Sequence, residues 1–266
     1  MLENFSGATR LVPVVGDPIA QVKSPGGVTR AFEERGADLL CLPMQVSPVD
    51  WAGYIATMRT MKNVDGIIVT VPHKFSAFDV CDTTSDRARF LRSVNTIRRA
   101  ADGTLHGDMF DGLGFVAACK DNGCNFEGRR ALLVGAGGAG TAIAHAVASS
   151  SVAELALADL DIARRDDLIA RLRAEKFNVV AAKSTDPTGF DIVLNATPLG
   201  MRDGDPLPAD ISKLTSAMFV GDVVTKPEIP PLIAAAQKAG CKTSNGVAMF
   251  GRVRDLMVDF LLAPKV

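Results

Sequence analysis

Short apolar runs alternate along this chain with stretches whose apolar residues recur every three or four positions. The runs lie at residues 11–15, 39–46, 66–71, 131–134, 154–158, 178–182, 191–195 and 218–224, and a last short one at 242–244. They are too short for helices and are bounded by Gly, Pro or Asp, so they predict buried strands. Residues 96–100 and 104–109, joined across Asp102-Gly103, predict a hairpin. Helical spacing covers 24–34, 48–61, 74–81, 87–91, 112–122, 139–148, 162–175, 231–239 and 247–262. Ser24-Pro25 supplies a cap and a first-turn proline for the first of these. Strands that alternate with helices predict an α/β fold with mostly parallel sheets and one antiparallel pair.

At 266 residues the chain is long for one domain and comfortable for two. The strand–helix series restarts near residue 110. This predicts one α/β domain over 1–110 and a second over 111–245. A C-terminal helix over 246–266 is expected to pack back across the junction, with the cleft between domains as the expected ligand site. A formal net charge of −1 gives no electrostatic ground for binding nucleic acid or an anionic membrane. The five cysteines (Cys41, Cys81, Cys119, Cys124, Cys241) form no CxxC or Cys/His cluster. Free buried thiols and no metal are therefore expected. The first ten residues carry no signal-peptide apolar core and no apolar run reaches transmembrane length, so a cytoplasmic protein is expected. The sequence leaves open a monomer or a homodimer.

The strongest chemical signal is ALLVGAGGAGTAIAHAV, beginning at Ala131. An apolar strand stops at Gly135, and Gly135, Gly137 and Gly140 form GxGxxG before a helix of small residues. In that order, one glycine turns the chain, one lets backbone approach a pyrophosphate, and one lets helix lie on strand. The helix N-terminus then offers N–H groups and partial positive charge to phosphates. The loop residues Gly135, Ala136, Gly137, Gly138, Ala139 and Gly140 are thus candidate cofactor contacts. The next strand ends at Asp159, about twenty residues on, where such folds read the ribose. A nicotinamide carries hydride, so the protein must supply a proton donor or acceptor for the substrate oxygen. Lys74, after VTVPHK at a strand mouth, and Asp111, at the junction, are the candidates, although spacing alone does not pair them. His73 is expected to face solvent, His145 to pack on the glycine-loop helix, and Trp51 to pack on the outer helix of the first domain.

Seven segments in order resemble the shikimate dehydrogenase and quinate dehydrogenase family. They are GDPIAQVKSP, GIIVTVPHK, SVNTI, GDMFDGLGF, GAGGAG, NATPLGM and the GxxM of Gly246 and Met249. The resemblance spans nearly the whole chain. It implies a substrate domain followed by a Rossmann domain, and hydride exchange between a cyclic hydroxy acid, such as shikimate or quinate, and its ketone. It implies Lys74 and Asp111 as the catalytic pair and Ser24, Thr70 and Asn95 as substrate contacts. It also implies Asn195, Thr197, Pro198 and Met249 near the nicotinamide. The departures are Gln21 and Val22 for a His and a Ser, Ile68 for an Asn, and Met109 and Phe110 for Asn-Thr. Thr225 replaces a Tyr and Val253 a Gln. Fewer polar groups suggest a paralogue with a less hydroxylated substrate as the alternative, and a non-catalytic dinucleotide-binding sensor as another. After the second Rossmann strand the family's NADP-dependent members carry an Arg-containing segment, where this chain has Asp159-Leu160-Asp161. A carboxylate accepts hydrogen bonds from a ribose 2′-OH and repels a 2′-phosphate, so Asp159 and Asp161 predict NAD as the preferred cofactor, with NADP second. Arg164 and Arg165 are the only nearby charges that oppose this reading.

Overall fold

The computed structural model describes residues 5–22 and 24–264. The ends of the first and third predicted segments (residues 1–4, 265 and 266) and Lys23 lie outside the described residues. Internal packing divides the chain into two compact units. One is Met1–Phe110 with Arg254–Val266, and the other is Asp111–Val253.

The first unit is built on a six-stranded sheet in the spatial order Pro43–Gln45, Val14–Gly16, Gly66–Val69, Thr96–Arg99, Leu105–Asp108, Thr83–Thr84. Thr96–Arg99 runs antiparallel to both neighbours, Gly66–Val69 and Leu105–Asp108, so there are two antiparallel pairs where the sequence suggests one. Two predicted strands are each split at a proline. Arg10–Leu11 pairs with Leu39–Leu40, and Val14–Gly16 pairs with Pro43–Gln45. Pro13 and Pro43 have no N–H to give a continuous ladder, so the chain breaks the run and pairs in two short pieces. Thr83–Thr84 is too short for any periodic signal. Helices Ser24–Glu34, Trp51–Thr60, Lys74–Asp79 and Asp86–Leu91 belong to this unit. Its core gathers Val15, Trp51, Ile55, Met58, Ile67, Val69, Ala77 and Ile97.

The second unit has a six-stranded, wholly parallel sheet. Its spatial order is Val179–Ala181, Glu154–Ala158, Arg130–Val134, Ile192–Asn195, Phe219–Asp222, Lys242–Ser244. In order of appearance within the unit this is 3-2-1-4-5-6, the doubly wound nucleotide-binding order. Strand order reverses between Arg130–Val134 and Ile192–Asn195, and the crevice beyond their carboxyl ends is where such sheets take ligands. Helix Asp111–Asp121 lies so close to Gly138–Ala148 that a Cβ on Gly112 would overlap the Ala142 carbonyl. Helix Gly246–Leu262 gives its first residues to this unit and the rest, from Arg254, to the first. No helix among the described residues is long and apolar enough to cross a membrane.

The two glycine environments predict opposite effects of the same substitution. Gly112→Ala should lower unfolding free energy by ~1–3 kcal/mol, because backbone must move to admit the methyl. Gly26→Ala, in helix Ser24–Glu34 with open space around a Cβ, should raise it by ~0.5–1 kcal/mol. Urea titrations of both variants read the difference directly.

Candidate functional site

In the first unit the residues expected to meet substrate lie around the carboxyl end of Gly66–Val69. Thr70 follows that strand and donates its N–H to the Val15 carbonyl at 2.9 Å. Lys74, half-buried, is the first residue of Lys74–Asp79. The Lys74 carbonyl accepts the Val94 N–H at 2.9 Å, which ties the start of that helix to the segment holding Asn95. Asn95 is 3% exposed. Its carbonyl accepts the Val69 N–H at 2.8 Å, its N–H donates to the Asp108 carbonyl at 3.0 Å, and its Oδ1 accepts the Phe110 N–H at 3.2 Å. Phe110 is the residue before Asp111, and Asp111 opens helix Asp111–Asp121 of the second unit. Lys74, Asn95 and Phe110 are therefore linked through one hydrogen-bonded patch of the first unit. Ser24 is buried at the start of its own helix.

The structure revises the apparent loss of polar pocket groups. Ile68, Met109 and Phe110 are 3%, 4% and 4% exposed and lie in the packed interior of the first unit. The Phe110 ring lies 5.3 Å from that of Phe260 and under the Arg87 guanidinium at 5.0 Å. Val253 is buried against Gly114, where a Cβ on the glycine would overlap its side chain. These four side chains serve packing. Val22 is half-buried and Thr225 exposed. His73, expected at the surface, is 1% exposed.

In the second unit the glycine loop has the geometry that dinucleotide binding needs. Gly135 has φ +106°, a left-handed conformation that a side chain would strain, and a Cβ there would also press on Ala196 and Thr197 at 2.9 Å. A Cβ on Gly140 would overlap the Gly135 carbonyl, so only glycine lets the helix approach the turn. Gly137 caps Gly138–Ala148 with no side-chain hydrogen bond, and the space beside Gly137 and Gly138 is open. The helix thus keeps unclaimed N–H groups facing room for a phosphate, which fits a dinucleotide. Across the strand-order switch, Asn195 Oδ1 accepts the Thr197 N–H at 2.9 Å and its Nδ2 donates to Asp222 at 3.0 Å. This network shapes the loop that carries Thr197 and Pro198. Met249 is half-buried in the first turn of Gly246–Leu262.

Asp159 and Asp161 do not stand as free ribose acceptors. Asp159 accepts the Ala136 N–H at 2.6 Å, the Asp161 N–H at 2.8 Å and the Arg164 guanidinium at 2.7 Å. Burial works to raise this carboxyl, but the Ala136 bond, Arg164 and the Asp161 bond outweigh it and hold the group below the usual carboxylate range. Asp161 caps helix Ile162–Ala174 by accepting the Arg164 N–H at 3.0 Å. Arg164 thus neutralises the charge on which the NAD preference rested, while its own side chain stays half exposed.

No group of three or more His, Cys, Asp or Glu among the described residues could hold a metal. All five cysteines are free, and burial pushes the Cys41, Cys81 and Cys124 thiols up to about 12, where they are not nucleophiles at neutral pH. The glycine loop at the switch point of a doubly wound sheet defines a dinucleotide-binding fold, and the relatives described next make the protein an NAD(P)-dependent oxidoreductase acting on CH–OH groups.

Comparison with known proteins agrees. A family model described as the shikimate dehydrogenase substrate binding domain matches residues 14–97. Shikimate dehydrogenase (NADP(+)) of Geobacter metallireducens is 32% identical over 255 residues, covering 92% of this chain and 88% of that protein. The chain belongs to the shikimate dehydrogenase family. Among solved structures, shikimate 5-dehydrogenase from Listeria monocytogenes, in complex with shikimate and NAD, is similar with a TM-score of 0.90 and 27% identity. That match covers 100% of this chain and 96% of the other. The ligand-free 5-ketofructose reductase of Gluconobacter sp. strain CHM43 has a TM-score of 0.89 and 26% identity, over 97% and 94%. The expectation of NAD as preferred cofactor is overturned: the curated relatives are named for NADP(+). Its physical fault is the one just described, a carboxylate read as bare that is bonded and neutralised in the fold.

Asp222 makes the second unit sensitive to pH. Burial pushes its carboxyl up to about 6, against hydrogen bonds from the Val224 N–H and Asn195, and its Oδ2 has no hydrogen-bond partner among the described residues. A raised carboxyl stabilises the fold while protonated. That contribution is complete below the ordinary value near 4 and is lost as pH rises through about 6. Thermal unfolding should show stability falling by ~1–3 kcal/mol from pH 4.5 to pH 7.5. Asp222→Asn should flatten that fall.

Proposed function

We propose that this protein interconverts a cyclic hydroxy acid of the shikimate or quinate type and its ketone, using NADP. Bound cofactor supplies or takes up the hydride at the nicotinamide. Lys74 holds the proton at the reacting oxygen, receiving it during oxidation and returning it during reduction, and Asp111 balances the charge of the lysine. Asn95, Thr70 and Ser24 orient the ring through its hydroxyl and carboxylate groups. Gly135 to Gly140 receive the pyrophosphate, and Asn195, Thr197, Pro198 and Met249 border the nicotinamide. The observation that carries the reading is the hydrogen-bonded patch that joins Lys74, Asn95 and the residue before Asp111. A sensor without catalysis would have no use for a lysine and an acid as a proton-transfer pair. For the cofactor, the support is Arg164: one face of its guanidinium cancels Asp159, and its exposed remainder suits a 2′-phosphate.

Three measurements test this. Initial rates with NADP and with NAD are taken against shikimate, quinate and 5-ketofructose. NADP-linked turnover of a cyclic hydroxy acid is expected, and turnover of 5-ketofructose alone would replace the substrate class. Lys74→Ala should lower kcat by ~10³-fold or more with the NADP Kd unchanged, because proton transfer and positioning are both lost. Arg164→Ala should cut kcat/KM for NADP by ~10-fold or more while that for NAD holds or rises, since Asp159 is then left unneutralised. An equal loss with both cofactors would remove Arg164 from the 2′-phosphate site.

A further inference from the structure

Lys74 stands at the head of a helix of only six residues, Lys74–Asp79. An isolated helix of that length does not hold its own geometry, so tertiary contacts must fix where the lysine starts. The residue before it has those contacts. His73 is 1% exposed, and its imidazole lies on the indole of Trp51 with centroids 4.6 Å apart and planes 9° from parallel. Its Nε2 is 2.7 Å from the Val46 carbonyl. A carbonyl can only accept, so Nε2 carries the proton and donates it. The His73 N–H donates to the Thr70 carbonyl at 3.0 Å, and its own carbonyl accepts the Ala77 N–H at 2.7 Å. Ring face, ring edge and both backbone groups are thus each committed, one peptide bond from Lys74.

Trp51 is a fixed wall for this stack. It is 4% exposed within the core that includes Ile55, Met58, Val69 and Ala77. Its Nε1 is buried with no hydrogen-bond partner among the described residues. An unpartnered donor opposes folding, so the indole holds its place through the packing of its faces, not through its N–H.

From this we infer that His73, backed by Trp51, is a positioning residue for Lys74: it sets where the lysine amine meets the reacting oxygen and takes no part in proton transfer itself. The inference rests on the reading of Lys74 as the proton-transfer group. A misplacement of about 1 Å at a reacting group costs on the order of 10²-fold in rate, so loss of the stack should register in turnover before it registers in binding.

The test uses the full chain, NADP and the substrate turned over fastest in the panel above. His73→Ala is expected to lower kcat by ~10–100-fold, to change KM by less than about threefold, and to leave the NADP Kd unchanged. It should also displace the limb of the kcat–pH profile that disappears in Lys74→Ala. Trp51→Ala should give the same signature, and Trp51→Phe, which restores a flat ring, should recover most of the loss. Trp51 is the chain's single tryptophan, so its emission reports whether the stack is present in the His73 variants, and far-UV circular dichroism checks the fold of the Trp51 variants. If His73→Ala does not fold, His73→Phe keeps the stack but drops the Val46 bond and is read in the same way. A folded variant whose kcat and pH profile stay within about threefold and 0.2 unit of the parent overturns the inference. So does a rise in KM with a fall in NADP affinity alongside kcat, which would indicate general loosening. If Lys74→Ala itself retains turnover, the proton-transfer reading fails and this inference fails with it. If Lys74→Ala is dead and His73→Ala is not, only the positioning role is lost.

Discussion

A single buried amide organises the first unit. Asn95 is removed from water, and each of its polar groups must find a partner inside the protein. Its carbonyl is taken by Val69, its N–H by the Asp108 carbonyl, and its Oδ1 by the Phe110 N–H. The adjacent Val94 N–H is taken by Lys74. Meeting these demands draws the end of one strand, the head of the Lys74 helix and the segment that leads to Asp111 onto the same few ångströms of backbone. Chemistry and stability are therefore the same problem at this point. The Asn95 backbone and its Oδ1 together close the hydrogen-bond accounts of the strands around it.

The second unit solves a different problem, bringing backbone close to an anion. Its glycines act where a Cβ would strike backbone, at Gly135, Gly140 and Gly112. The resulting turn is supported from beneath by Asp159, which bonds the Ala136 N–H. This acid braces the loop from the protein side, and Arg164 holds the acid. The same two residues thus support the loop together.

Much of this was legible in the sequence. The glycine loop, its preceding strand and the following helix have local causes, and local causes are written in adjacent residues. The resemblance of segments such as VTVPHK and NATPLGM located the family. What escaped depends on partners distant in sequence or on side-chain direction. Asp159 reads as a bare acid because its bond to Ala136 spans 23 positions. Met109 and Phe110 read as pocket lining because a change of residue type does not say which way the side chain points. His73 reads as a surface residue because the indole that covers it belongs to another helix. The split of two strands at Pro13 and Pro43, by contrast, was available from the absence of a proline N–H.

The division of the chain has a bearing on the order in which it can mature. The second unit is one continuous stretch, Asp111–Val253, and its whole sheet is present once Lys242–Ser244 has been made. The first unit is discontinuous: Leu261 fills the space beside Gly66, and Phe260 lies against Phe110. A ribosome therefore delivers the segment before Asp111 as an incomplete unit until Phe260 and Leu261 emerge, while the Asp111–Val253 unit is free to close first. The unit that carries Lys74 is begun before the Asp111–Val253 unit and completed after it.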